Sequence, residues 1–267
     1  MRVCWPLVLR TLRSHRRGIF GWTLGLLALV IIQLAVYPTI RSSATDWSNL
    51  ADQFPEAFKK MFRMEDYASE RGYLTTELLS FTLPFIIIGL GCTWGARLVT
   101  EDEESATADI MLSLPISRTT YVTSRFVAAA TVMVFALSVF TVALLIGTRW
   151  LGMAIPVPQY LSAGFSLLCI GLLMMTLAAV LGAWIGRRSG ALGISMAVAI
   201  ALFVLYSLGP LVDFLDKTTP YNPMQWTIGS QPLFEGTSLG YTAAIIALIV
   251  PCVAATYVFF DRRDIAG

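Results

Sequence analysis

A chain of 267 residues that is 56% hydrophobic and only 13% charged, with a mean hydropathy of +0.70, does not have the composition of a soluble domain. A net charge of +2 is too small to argue for a nucleic-acid partner. The single histidine, His15, speaks against a histidine-based metal centre or a Ser/His/Asp triad. Cys4, Cys92, Cys169 and Cys252 lie far apart, without the spacing of a disulfide framework or a zinc site, and read as small buried hydrophobes.

Taken in order, the chain opens on five basic residues, Arg2, Arg10, Arg13, Arg16 and Arg17. They look like the start of a signal peptide, but the apolar run behind them is too long and no small-x-small site ends it. Residues 1–17 read as an amphipathic helix on the cytoplasmic surface, with Trp5, Leu9 and Leu12 toward lipid. The first span is then 18–37, about the 20 residues that a bilayer core requires. Residues 41–72 form the largest polar segment; Trp47, Leu50, Phe54, Phe58, Met61 and Phe62 recur at helical spacing opposite Asp52, Glu56, Lys59, Lys60 and Arg63. This pattern predicts an amphipathic extracellular helix, either a scaffold element or a cap over the bundle.

The second span is 74–98, with Pro84 as a candidate kink and Gly89, Gly91 and Gly95 as points of close helix approach. Further spans follow at 121–146, 160–185, 191–212 and 238–260. Arg187, Arg188 and Gly190 make a tight basic turn between the fourth and fifth. Twelve of the nineteen basic residues fall on one side if both termini are placed inside, which puts both termini and residues 101–118 in the cytoplasm. The expected fold is all-α and integral to the membrane, with six transmembrane helices and an N-terminal interfacial helix.

Charge within the spans is nearly absent, and a buried charge at mid-membrane usually marks an ion or proton path. That disfavours an ion-coupled secondary transporter and favours a conduit whose energy comes from elsewhere. Hydroxyls inside the spans, among them Thr131, Thr176 and Ser195, are expected to bond back to their own helices. No Ser/His, His/Glu or paired-Asp arrangement supports an intramembrane enzyme. The three lysines, Lys59, Lys60 and Lys217, follow no glycine, so there is no P-loop. If ATP drives the protein, ATP and Mg bind to another polypeptide, and this chain carries no cofactor, metal or catalytic residue of its own.

Residues 101–118, EDEESATADIMLSLPISR, are the most distinctive stretch. Glu101, Asp102, Glu103 and Glu104 would suit a divalent cation as oxygen ligands, or complement a helix dipole. Neither reading explains the apolar turn of Ile110, Met111, Leu112 and Leu114 that follows. A short helix at the membrane edge, acids toward water and apolar side toward the bundle, accounts for both. Pro115 stops it, and Ser117 with Thr119 or Thr120 caps the next helix.

The stretch resembles the cytoplasmic signature of ABC-2-type transporter permeases, with a fold like that of type V exporters. Glu103, Glu104, Thr107, Leu112, Ser113, Leu114, Pro115, Ser117 and Arg118 carry the likeness. PEAFKKMFRM before Gly72-Tyr73-Leu74, TPYNPMQW (Thr219 to Trp226) and the ending FFDRRDIAG agree with it. The family's usual glycine is replaced here by Ser105 or Ala106, which favours a continuous helix. The resemblance implies a multi-pass permease of a bacterial plasma membrane that pairs with a second permease chain, identical or paralogous, and with two copies of a separate ATP-binding subunit. It also implies a coupling helix at 101–118 that docks on the ATPase, with Arg187 and Arg188 beside it, and short re-entrant helices within Leu211 to Phe234. Drugs, peptide antibiotics, lipids and glycans are the implied cargo, with efflux and antibiotic resistance as the outcome. The competing reading is a membrane protein independent of any ATPase, a secondary transporter or a structural or immunity protein.

Overall fold

The computed structural model describes residues 3–42, 69–104 and 116–262, and every regular element among them is helical. An amphipathic helix α1 (Trp5–Ser14) leads into α2 (Arg16–Ser42), the first span. Pro6 lies in the first turn of α1, where its missing N–H deprives no partner. The second span starts with α3 (Glu70–Leu74), widens into a π-helix over Thr75–Thr82 and continues as α4 (Leu83–Glu104). Pro84 offers no N–H to the carbonyl of Ser80, and the wider π turns lie just upstream of that gap. The third to fifth spans are α5 (Arg118–Trp150), α6 (Val157–Ile185) and α7 (Arg188–Leu208). A chain of short pieces, including α8 (Asp213–Asp216), returns to α9 (Leu239–Asp261), the sixth span. All six are long and apolar enough to cross a membrane.

The second and fourth spans form the centre: 61% and 67% of their apolar windows are buried, against 22%, 22% and 17% for the first, fifth and sixth. They can approach so closely because of glycine. A Cβ on Gly91 would sit 2.4 Å from the Gly171 carbonyl oxygen, and one on Gly95 only 2.0 Å from that of Met175. Gly89 is different, since a Cβ there would meet only the Trp22 ring at 3.9 Å. The close approach therefore belongs to Gly91 and Gly95. Ile87, Ile88, Leu90, Cys92, Ile170 and Met174 fill the seam around them.

Each span is longer than its apolar run, because helices continue into their polar ends. Arg16 and Arg17 are already helical, and so are Glu101 to Glu104. The turn between the fourth and fifth spans is made by Gly186, left-handed at φ +76°, while Gly190 lies inside α7. Thr131, Thr176 and Ser195 each donate to a carbonyl of their own helix, at 2.7, 2.9 and 3.0 Å. Between the fifth and sixth spans, Asn222 donates from Nδ2 to Leu202 O (2.8 Å) and accepts from Met224 N (2.9 Å), tying that segment to the top of α7. The amphipathic helix expected within 41–72 lies outside the described residues, apart from its first two positions, which end α2, and its last four. The coupling-helix residues Thr107, Leu112, Ser113, Leu114 and Pro115 also lie outside them.

Candidate functional site

The edges of the 105–115 stretch are described, and they converge on one corner of the bundle. Helix α1 ends at His15, whose backbone (φ −101°, ψ 10°) breaks the helical run before α2. Its Nε2 lies 2.7 Å from Glu101 Oε1, and its Nδ1 lies 2.9 Å from the Thr11 carbonyl. A carbonyl and a carboxylate are both acceptors, so the geometry is served best by an imidazolium with two N–H donors. The hydrogen bond to Glu101 accordingly raises the His15 pKa above its ordinary value, against the opposing pull of partial burial.

Arg125 is the other cation of the corner, and it is only 7% exposed. Its Nη2 pairs with Asp102 Oδ2, its Nη1 lies 3.5 Å from Glu101 Oε2, and the same Nη1 reaches Thr11 Oγ1 at 3.4 Å. Tyr121, one helical turn before Arg125, donates its hydroxyl to the Asp102 carboxylate and lies with its ring 5.5 Å from the guanidinium carbon. The Cys4 amide donates to Ser124 Oγ at 2.9 Å, fixing the start of α1 to the same face of α5. Positions 121, 124 and 125 share that face through i, i+3 and i+4 spacing. Consecutive Glu101 and Asp102 diverge around α4, so one takes His15 while the other takes Tyr121, and Arg125 bridges them.

Two further residues tie this corner to the remaining spans. Glu104 Oε1 accepts from the Arg188 amide at 2.8 Å, placing a carboxylate at the positive end of α7, whose N-cap residue Arg187 supplies no side-chain cap. Arg118 Nη1 donates to the carbonyls of Phe260 (3.3 Å) and Asp261 (3.0 Å), placing a cation at the negative end of α9. Ser117 is the N-cap of α5, its Oγ accepting from Thr120 N at 3.2 Å.

The sequence reading of acids turned toward water therefore needs adjusting at two positions. Glu101 and Asp102 are the last turn of the second span, and their carboxylates point into the protein. His15, Thr11, Tyr121, Ser124 and Arg125 were not among the expected site residues. The available signal was the pair Tyr121/Arg125, one turn apart at the start of a span, opposite the acids that end the preceding span.

At the far end of the bundle, Phe81 and Phe85 of the second span meet Phe203 of the fifth, with centroids 4.7 to 5.5 Å apart. Phe81 is 52% exposed. This aromatic group borders the π-helical stretch of the second span. A family model described as ABC-2 family transporter protein matches residues 5–265. A comparison with curated proteins finds no match.

Proposed function

Because the chain belongs to the ABC-2 family of transporter proteins, we propose that it is the non-catalytic permease subunit of an ATP-driven exporter, worked by separate ATP-binding subunits. The ATPase docks at residues 101–118 on the cytoplasmic face, with Glu103, Glu104, Leu112, Ser117 and Arg118 at or beside the contact and Arg187 and Arg188 flanking it. ATP and Mg stay on that partner. One observation carries this reading. The residues bordering the 105–115 stretch are bonded to α1, α5, α7 and α9, so a displacement of it would reach four other helices at once.

A second permease chain, identical or paralogous, completes the pathway. The low burial of the first, fifth and sixth spans supports it, since those spans keep apolar faces that one chain does not cover. The aromatic group of Phe81, Phe85 and Phe203 suits an amphipathic cargo such as a drug, antibiotic, peptide or lipid. The test begins with the tagged full chain, drawn from its own membranes in mild detergent. A P-loop ATPase should accompany it, and E103K/E104K should abolish transport or release the ATPase. Intact transport with the ATPase still bound in that variant would overturn the coupling role, and export without any ATPase would overturn the permease reading.

A further inference from the structure

We propose that the elbow between α1 and the first span is a binding site for the phosphate headgroup of an anionic phospholipid. The elbow encloses an open hollow of about 810 Å³ lined by Arg10, Arg13, Ser14, Arg16, Arg17 and Leu9. No acid precedes Asp46 in the chain. Among the described residues, no carboxylate pairs with Arg13, Arg16 or Arg17. The guanidiniums of Arg13, Arg16 and Arg17 around one hollow repel each other, and an anion seated among them would relieve that repulsion. Guanidinium matches phosphate oxygens with paired N–H donors, which makes phosphate the fitting anion.

The surroundings select a lipid over a soluble phosphate. Trp5 (63% exposed) and Leu9 (48%) lie before the arginines on an i, i+4 stripe, and Phe20 (69%) and Leu24 (53%) continue it beyond them. The charge thus sits between an apolar face that lies on the membrane and one that descends into it, at the depth of lipid phosphates. A phospholipid would place its phosphate in the hollow and its acyl chains along Phe20 and Leu24. The inner side of the elbow is tied to the second span through His15 to Glu101, which holds the arginines on its outer side.

The experiment uses purified full-length protein drawn from bilayers of mixed phosphatidylglycerol and phosphatidylcholine, with retained lipid identified by mass spectrometry. Each arginine near an anionic headgroup contributes about fivefold, so R13Q/R16Q/R17Q should lower phosphatidylglycerol retention by about 100-fold, while R41Q at the far end of the same helix should not. Inorganic phosphate should leave retention unchanged. Undiminished retention in the triple variant, or displacement by inorganic phosphate, would overturn the proposal. Loss of ATPase binding with unaltered lipid retention would assign the arginines to a protein partner and overturn it too. If the triple variant fails to insert, the wild-type protein carries the test through Trp5 fluorescence, isolated by difference from W5F. Brominated phosphatidylglycerol should quench it more than brominated phosphatidylcholine, and equal quenching would refute the site.

Discussion

Along the seam between α4 and α6, backbone meets backbone at Gly91 and Gly95 and no charge takes part. At the corner of α1, α4 and α5, by contrast, His15, Glu101, Asp102, Tyr121 and Arg125 hold three helices through ions and hydrogen bonds. Close packing has one good arrangement and forfeits its attraction within a fraction of an ångström. An ionic cluster has several contacts that can be exchanged singly, and it answers to pH and salt. The seam is thus suited to stay fixed during a working cycle, and the corner is suited to change.

Breaking the seam should have the largest effect. In G95L the new side chain would push into the Met175 carbonyl, which no rotamer change relieves, so the cost should exceed the roughly 3 kcal/mol of ordinary overpacking. Size-exclusion chromatography of detergent extracts should show aggregate in place of a monodisperse peak; a wild-type profile would contradict the close-approach argument. At the corner, R125Q leaves Asp102 without its buried cation and should cost about 3–5 kcal/mol. Thermal unfolding should show R125Q/D102N losing less than R125Q and D102N added together, and strict additivity would argue against direct pairing.

The smallest effect, and the one that sharpens the contrast, concerns His15. Its pKa is raised in the folded protein, chiefly by the Glu101 hydrogen bond, so its contribution is complete below about pH 6.5 and is lost as pH rises through the folded value. Arg97 and the Trp94 ring also face it, and Arg125 shares its Glu101 partner. The melting temperature of wild type should fall over that window more steeply than that of H15Q. G91A, altered only at the seam, should keep whatever pH slope the wild type shows. Parallel curves for H15Q and wild type would remove His15 from the cluster.

Much of the architecture was readable because apolar runs of about 20 residues announce themselves. Their ends were not, since Arg16, Glu101 and Glu104 look like loop residues by polarity while their backbones continue the helices. The partners at the corner were hidden for a different reason. His15 lies 86 residues from Glu101, and Arg125 lies 23 from Asp102. One chain without its fold offers no rule for choosing among twenty basic and seventeen acidic side chains. The glycine seam was half legible: the spacing of Gly89, Gly91 and Gly95 marked close approach, but only the partner helix decides which of them it concerns.

The tie between Arg118 and the end of α9 has a practical side. Cys4 is bonded to Ser124 at the other end of the described chain, so both ends gather around the first two turns of α5. A reporter protein or affinity handle placed beside Cys4 or Asp261 starts out near the corner and takes up room there. The bend at Gly152, left-handed at φ +74° with open space around it, lies at the opposite pole. A label inserted in that bend keeps clear of the corner, so docking and transport can be measured without interference from the tag.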